Sequence, residues 1–254
     1  MELKDLVKEA YYYDKSGMLL FGDCLDWMPK IPDKSIDMII CDLPYGTTQN
    51  KWDTIIPFNK LWKQYERIIK DNAAMVFTGQ SLFSAKLILS NEKLYRYSLI
   101  WEKTKAGGFL NANKMPMQAH EDILVFYKKL PPYHPQMQDG KPYIKKAVTN
   151  GDGGNYGKFE RIGSVNVNEG KRYPRSVITV SNDNHGSLHK TQKPVELFEY
   201  LIKSFSNENS IILDNSSGVC TTAIAAKNTN RKWICIEKEE KYCDISKKRI
   251  QEYA

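Results

Sequence analysis

Several classes of protein are excluded by what the sequence lacks. No two of the five cysteines form a Cys-x-x-Cys pair, which argues against a zinc site or a dithiol redox motif. No apolar run approaches the 18 residues that a membrane-spanning helix needs, and the first residues lack the apolar core of a signal peptide. We therefore expect a globular cytoplasmic protein with free thiols, no metal site and no membrane partner.

Most of the chain also lacks an excess of positive charge. The 254 residues carry a formal net charge of +7, yet residues 1–100 hold 13 basic and 13 acidic side chains. Residues 101–180 hold 13 basic and 7 acidic side chains, a net charge of +6. This concentration favours an anionic partner for the middle of the chain, although a solvated basic face would have the same composition.

Short apolar runs that alternate with amphipathic helices predict an α/β fold with a mainly parallel sheet. The predicted strands are residues 18–21, 36–41, 73–78, 97–101, 123–127, 210–213 and 232–236. The predicted helices are residues 23–30, 58–69, 82–89, 195–205, 218–227 and 239–253.

The regular pattern is interrupted between residues 104 and 180. This stretch is rich in glycine, proline and asparagine, but aromatic and β-branched residues are dispersed through it. It therefore predicts a loop-rich inserted lobe rather than a linker. Residues 1–103 and 181–254 are predicted to form the two halves of one α/β core.

Polar sequences follow the predicted strands at the edge where parallel sheets bind ligands. The loop from Asp214 to Thr222 is built of small residues and leads into a helix, whose N-terminus offers free N–H groups. Glu237 ends the next strand, 23 residues after Asp214, where an acidic residue typically binds ribose hydroxyls. The pattern favours a nucleoside-containing cofactor, with an ordinary strand–helix turn as the alternative.

A second polar sequence, Asp42-Leu43-Pro44-Tyr45, follows the strand at residues 36–41. Pro44 biases Leu43 toward extended geometry, which can direct the Leu43 carbonyl and the Asp42 carboxylate to one side. Two acceptors beside the ring of Tyr45 suit a planar amine such as the exocyclic amino group of a nucleobase. Alone, these four residues fit a simple turn as well.

Four segments together resemble the DNA amino-methyltransferases, which transfer a methyl group from S-adenosylmethionine to adenine N6 or cytosine N4. Asp42–Tyr45 resembles their catalytic Asp-Pro-Pro-Tyr motif, and Asp214–Thr222 resembles their Asp-Pro-Phe-x-Gly-Ser-Gly-Thr-Thr cofactor loop. Residues 189–194 resemble a His-Pro-Thr-Gln-Lys-Pro motif, and Gly22-Asp23-Cys24 matches a fourth element.

The order of these motifs is similar to that of the beta group of this family, because the catalytic motif precedes the cofactor loop. The resemblance implies a Rossmann-like methyltransferase fold with circularly permuted motif order, in which the inserted segment is the target-recognition region. RNA and protein methyltransferases with a related motif usually have the opposite order. A DNA-binding relative without turnover remains an alternative.

The resemblance also implies roles for individual residues. The catalytic residues would be Asp42, Leu43, Pro44 and Tyr45. The cofactor S-adenosylmethionine would be bound by Asp23, Cys24, Thr191, Lys193, Asp214, Asn215, Ser216, Gly218, Thr221, Thr222 and Glu237. The candidate DNA contacts are Lys103, Lys105, Lys114, Lys141, Lys145, Lys146, Arg161, Lys171, Arg172 and Arg175.

Double-stranded DNA is the expected partner, and a cognate restriction endonuclease and a homodimer are left open. Asp at the first position of the catalytic motif favours adenine, with cytosine N4 as the alternative. Five positions are noted as departures from the family pattern: Leu43, Lys190 and Asn215 replace prolines, and Val219-Cys220 replaces Ser-Gly. Cysteine adopts a positive φ less easily than glycine, which predicts a weaker cofactor loop. Lys193 could also be a solvated lysine at a helix start, and Cys41 is predicted to be a buried strand residue.

Overall fold

The computed structural model describes residues 3–50, 53–146, 165–182 and 192–253. Two of the predicted site residues, Thr191 and Arg161, lie outside these ranges, and so does the side chain of Lys146. The chain forms two compact units. One comprises Met1–His134 with Ser176–Ala254, and the other comprises Pro135–Arg175.

The strands and helices largely follow the predicted alternation. The strands are β1 Tyr12–Tyr13, β2 Gly17–Phe21, β3 Ile36–Cys41, β4 Ile69–Gly79, β5 Tyr95–Gly107, β6 Gln118–Phe126, β7 Gln138–Asp139, β8 Tyr143–Lys146, β9 Val165–Asn168, β10 Lys171–Arg172, β11 Val177–Val180, β12 Ile211–Asp214 and β13 Lys232–Glu237. The helices are α1 Leu3–Leu6, α2 Cys24–Trp27, α3 Phe58–Ile68, α4 Ser81–Ser90, α5 Val195–Phe205, α6 Thr221–Asn228 and α7 Glu240–Glu252. Short 3-10 turns cover Val7–Glu9, Met28–Lys30 and Phe109–Asn111.

One sheet organises the first unit, with strand order β1-β2-β13-β12-β3-β4-β6-β5-β11. The adjacent strands β2, β13, β12, β3 and β4 run parallel to one another, whereas β6 is antiparallel to both β4 and β5. The predicted mainly parallel sheet is thus confirmed. The chain leaves β3 toward one edge of the sheet and β12 toward the other, so the topological switch point lies between these two strands.

Apolar side chains on both faces of the sheet explain why the central strands form. In β3, Ile39 and Cys41 pack into the core on one face, and Met38 and Ile40 pack into the core on the other. A strand buried on both faces reads as a continuous apolar run. Helices cover the two cores through stripes at helical spacing, as in α3, where Leu61, Trp62, Tyr65 and Ile68 are buried.

In the residues that the structure describes, the second unit contains two short antiparallel ribbons, β7 with β10 and β8 with β9. The second unit, Pro135–Arg175, comprises fewer residues than the inserted segment predicted at 104–180. The first part of that segment ends in β6 and the last part contains β11, and both strands pair within the main sheet. The role of residues 104–180 in target recognition stays a prediction.

All five cysteines have free thiols and are buried. Cys41 is fully buried in β3, as predicted. In the described parts of the chain, no helix is long and apolar enough to cross a membrane. The same residues contain no cluster of three or more His, Cys, Asp and Glu side chains that could hold a metal ion.

Candidate active site

A cavity of about 410 Å³ opens at the carboxyl ends of the parallel strands in the first unit. Each of four neighbouring strands contributes an acidic residue there: Asp23 follows β2, Asp42 follows β3, Asp214 ends β12 and Glu237 ends β13. This is the edge at which the sequence places its two polar motifs. The cavity lies at the topological switch point, where parallel sheets bind their ligands.

Asp42 is held in place through both oxygens of its carboxylate and through its backbone carbonyl. Its Oδ1 accepts from the Tyr45 hydroxyl at 2.7 Å and from Thr78 Oγ1 at 2.5 Å, and its Oδ2 lies 2.9 Å from Lys193 Nζ. Its backbone carbonyl accepts from Ser216 Oγ at 3.2 Å. The last bond joins the loop after β3 to the loop after β12, so the two motifs border one cavity.

Tyr45 supports Asp42 more directly than the sequence suggested. Its ring packs on Phe83 with centroids 4.7 Å apart. Burial, followed by the charges of Asp42 and Glu121, holds the pKa of Tyr45 well above its ordinary value. The hydroxyl therefore remains a donor to Asp42 at any working pH. Leu43 is buried, at 3% exposure.

The loop that follows Tyr45 is organised by Asp53, which sequence reasoning did not single out. Its carboxylate accepts from the backbone N–H groups of Gly46, Thr47 and Thr48 at 2.8, 2.9 and 2.7 Å. Burial opposes the charge of Asp53, but these donors outweigh it and lower the pKa. Gly46 has φ +69°, a left-handed conformation that favours glycine.

A buried ion cluster lies beside Asp42. Lys193 Nζ is 3.1 Å from Glu121 Oε2, and Glu121 Oε1 is 2.6 Å from Lys103 Nζ. Lys193 is only 8% exposed, so the alternative that it is a solvated helix-start lysine is wrong. Burial disfavours the ammonium form, but the Asp42 and Glu121 carboxylates outweigh it and raise the pKa of Lys193.

The sequence analysis did not place Lys103 or Glu121 beside the catalytic motif. Lys103, predicted as a DNA contact, lines the cavity with 15% of its side chain exposed and pairs with Glu121. Glu121 was not predicted at all. The only signal in the sequence is a carboxylate just before the apolar run at residues 123–126, a place where a buried charge needs a partner.

The cofactor-like loop is built around Asp214. This carboxylate accepts from Thr222 Oγ1 at 2.5 Å and from the backbone N–H of Ser216 at 3.1 Å. Burial raises the pKa of Asp214 to about 7, against the opposing effect of these two donors. Thr221 lies at the start of α6, where its hydroxyl donates to the Lys193 carbonyl at 3.4 Å.

Gly218 and Glu237 join this loop to the end of β13. The Gly218 N–H donates to Glu237 Oε2 at 2.7 Å, and the Glu239 N–H donates to Glu237 Oε1 at 2.8 Å. Gly218 has φ +53°, and apart from its two chain neighbours no described residue has an atom within 4 Å of the position that a Cβ would occupy. The backbone at Gly218 therefore leaves room for a ligand to approach.

The positions that depart from the family pattern are accommodated within the loop. Cys220 adopts φ 55° in spite of its side chain, a conformation that costs a non-glycine residue about 1 kcal/mol. Asn215 Oδ1 accepts from Tyr65 OH at 2.6 Å and from Cys41 Sγ at 2.9 Å. The Asn215 side chain thus anchors the loop to β3 and α3.

Asp23 and Cys24 form the far wall of the cavity. Asp23 caps α2, since its Oδ1 accepts from the Leu25 N–H at 2.8 Å. The preceding residue, Gly22, donates its N–H to the Glu237 carbonyl at 2.9 Å. The ends of β2 and β13 are therefore tied together at the cavity.

Among the described residues of the first unit, two further predicted DNA contacts are not part of the cavity lining. Lys105 lies near the end of β5 and Lys114 in the connection between β5 and β6, and both are exposed. Lys171 forms an ion pair with Asp139. It belongs to the second unit, as do Lys141, Lys145, Arg172 and Arg175.

The family model of the N6/N4 DNA methylases matches residues 36–248, from β3 to α7. The chain belongs to this family of DNA methylases. The match covers both motifs that border the cavity, and it confirms the predicted resemblance to DNA amino-methyltransferases. The family includes methylases of both adenine N6 and cytosine N4.

Individual methylases are similar over nearly the whole chain. The type II methyltransferase M.HinfI of Haemophilus influenzae is 27% identical over 94% of this chain and 69% of its own length. The type II methyltransferase M2.MboI of Moraxella bovis is 26% identical over 94% of this chain and 89% of its own.

Solved methylase structures share the fold. The PvuII DNA methyltransferase, described as cytosine-N4-specific, superimposes with a TM-score of 0.69 at 14% identity, covering 96% of this chain and 93% of its own. The complex of M1.HpyAVI with SAM gives a TM-score of 0.63 at 22% identity, covering 92% and 98%. The predicted Rossmann-like methyltransferase fold is thereby confirmed.

Proposed function

We propose that this methylase transfers a methyl group from S-adenosylmethionine to the N6 amino group of an adenine that has been flipped out of duplex DNA. The proposal is carried by the bond between Ser216 Oγ and the Asp42 carbonyl, 3.2 Å long, which brings the catalytic-type and cofactor-type loops to one cavity. A base in a duplex reaches such a cavity only by leaving the stack.

The residues around the cavity fit S-adenosylmethionine. A volume of about 410 Å³ lies in the range of small-molecule sites. Gly218 leaves its backbone open to a ligand, and Glu237 and Asp23 supply carboxylates for hydroxyl and amino groups. We assign the cofactor to Asp23, Cys24, Asp214, Asn215, Ser216, Gly218, Thr221, Thr222 and Glu237. When bound, the cofactor supplies an electrophilic methyl group on a sulfonium.

Asp42 is the group that would activate the amine. An ionised carboxylate has about four acceptor positions, and Tyr45, Thr78 and Lys193 occupy three of them. The remaining position can accept one N–H of the base, and the Leu43 carbonyl can accept the other. These two bonds localise the nitrogen lone pair, which is otherwise conjugated into the ring, so catalysis relies on positioning and electrostatics.

We assign Lys193 to the catalytic carboxylate rather than to the cofactor. Its ammonium lies within contact distance of both Asp42 and Glu121, and it pairs with the Asp42 carboxylate that would accept a hydrogen bond from the base. Glu121 shares that charge, so the ammonium does not neutralise Asp42 alone. Lys103 completes the cluster of two cations and two carboxylates.

The choice of adenine rests on Asp, rather than Ser, at the first position of the catalytic motif. DNA binding is assigned to residues 101–180, where the net charge of +6 can neutralise backbone phosphates. Lys141, Lys145 and Arg175 are exposed in the second unit and suit this role.

The test is methylation of DNA in a host that lacks its own methylases. Sequencing the modified bases from cells that express the chain should reveal N6-methyladenine in one short sequence. Asp42→Ala should abolish the modification, while calorimetric titration still detects binding of S-adenosylmethionine. N4-methylcytosine without N6-methyladenine would refute the choice of base. Absence of both modifications and of cofactor binding would favour a DNA-binding relative without turnover.

A further inference from the structure

The tip of the hairpin formed by β5 and β6 exposes an unusual number of large apolar side chains. Phe109 is 72% exposed, Leu110 is 80%, Met115 is 60% and Met117 is 41%. Scattered single apolar residues are normal on a protein surface, but a cluster of this kind within nine residues marks an interaction site. The hairpin tip, residues 108–117, therefore needs a partner.

The base of the same hairpin forms part of the active-site cavity. Lys103 on β5 and Glu121 on β6 line the cavity, and Gly107 pairs with Gln118 further along the hairpin. Gly107 comes four residues after Lys103, a distance of about 13 Å at 3.3 Å per residue of strand. The tip thus begins about 13 Å along the strand from the cavity-lining Lys103.

The hairpin is braced where it leaves the cavity. Asn182 Oδ1 accepts from the Lys105 N–H at 2.9 Å, and Asn182 Nδ2 donates to the Lys105 carbonyl at 2.8 Å. Beyond this brace, Gly108 takes φ +83° and begins the 3-10 turn Phe109–Asn111. Phe109 and Leu110 are consecutive residues of a tight turn on a fixed support.

The charge of the hairpin indicates the nature of the partner. No aspartate or glutamate occurs between Glu102 and Glu121. Lys103 in this interval pairs with Glu121 at the cavity, which leaves Lys105 and Lys114 as the cations beside the tip. An apolar tip flanked only by cations complements a nucleic-acid duplex, whose base steps are apolar and whose backbone is anionic.

We propose that Phe109 and Leu110 insert into the DNA at the target step and fill the space that the flipped base leaves. This inference rests on the proposed function, since it assumes a duplex substrate and an extruded base. Apolar wedges of this kind offset the cost of unstacking by replacing the lost contacts of the neighbouring bases.

The test compares methyl transfer to two duplexes that contain the sequence found by methylation sequencing. One duplex is fully paired, and the other carries a mismatch opposite the target base, which makes extrusion easier. The double variant Phe109→Ala with Leu110→Ala should lose roughly 10- to 100-fold in kcat/KM on the paired duplex. On the mismatched duplex most of that loss should disappear, because the wedge is no longer needed.

Leu89→Ala is the matched control, because Leu89 is 67% exposed at the end of α4, which precedes the start of β5 and so lies at the other end of that strand from the hairpin tip. It should leave both rates unchanged. An equal loss on the two duplexes, or no loss, would overturn the wedge while the wild-type rate still supports the proposed function. A dimeric wild-type protein that the double variant converts to a monomer in light scattering would also overturn it, since the tip would then contact a second copy.

Discussion

Lys193 Nζ lies 2.9 Å from Asp42 Oδ2 and 3.1 Å from Glu121 Oε2, so one buried ammonium is shared between two carboxylates. A cation paired with Asp42 alone would neutralise more of the charge with which this carboxylate attracts the substrate amine. Sharing the cation with Glu121 leaves Asp42 charged but only partly neutralised. The arrangement explains why a lysine can lie beside the carboxylate that activates an amine.

Glu121→Gln should therefore impair catalysis through Lys193. The groups that face the Lys193 ammonium are Asp42, Glu121 and the ring of Tyr45, and Lys103 reaches it only through Glu121. Burial lowers the pKa of Lys193, and loss of one of the two carboxylates that raise it lets the pKa fall. The alkaline limb of the kcat profile should move to lower pH, and kcat should drop roughly 10- to 100-fold.

Glu102→Gln provides the control for this prediction. Glu102 is next to Lys103 on β5 but is exposed. Its carboxylate accepts a hydrogen bond from the Thr179 hydroxyl. Its pH profile should match that of the wild type. If Glu121→Gln lowered the melting temperature yet left the alkaline limb in place, Glu121 would have a structural role only.

The sequence places Asp42, Asp214 and Glu237 at one edge of the sheet because each directly follows an apolar strand. Local pattern is sufficient for such residues, since parallel strands bring their carboxyl ends together. Glu121 and Thr78 could not be found in this way. Thr78 reaches Asp42 because β4 pairs with β3, and Glu121 reaches Lys193 because β6 runs antiparallel beside β4. Strand order and direction depend on tertiary packing rather than on local spacing.

Gly218→Ala should weaken binding of S-adenosylmethionine with little effect on the remainder of the fold. The added methyl group would meet no atom of the described residues but would enter the space where a ligand approaches the backbone. The positive φ costs alanine about 1 kcal/mol of stability. We expect a loss of at least about tenfold in affinity by calorimetric titration, beyond that stability effect.

Gly108→Ala separates the two effects. Gly108 has φ +83° and, among the described residues, equally open surroundings, but it lies in the hairpin tip rather than at the cofactor loop. It should carry a similar cost in stability with unchanged affinity for S-adenosylmethionine. Equal affinities for the two variants would show that the cofactor does not approach Gly218.

Asp214 should make the protein less stable as the pH rises. Burial raises its pKa to about 7 in the folded state, so the folded protein binds a proton that the unfolded chain has released above about pH 4. The resulting stabilisation is present at low pH and is lost between pH 4 and 7. The Asp214→Asn variant lacks this pH-dependent loss of stability. Between pH 4 and 7 the unfolding free energies of the wild type and the variant should therefore diverge by at most about 1.4 kcal/mol per pH unit.

Thr222→Val tests the same assignment in the opposite direction. The Thr222 hydroxyl donates to Asp214 Oδ2 and favours the charged carboxylate, so its removal should raise the pKa of Asp214 further. The pH range over which stability is lost should then move upward. Denaturant titrations between pH 5 and 8 that gave parallel curves for all three proteins would contradict the role of Asp214.

The salt dependence of DNA binding distinguishes phosphate contacts from solvated lysines in the second unit. Lys145 is exposed on the short strand β8, and Lys146 is the next residue. If both bind phosphates, replacing both with alanine should reduce the slope of log Kobs against log salt by about 1.8, since each contact contributes about 0.9.

Lys63→Ala with Lys86→Ala, at exposed positions on α3 and α4, removes the same charge from the first unit and should weaken binding without that change in slope. Identical slopes for the two double variants would mean that Lys145 and Lys146 act only through net charge.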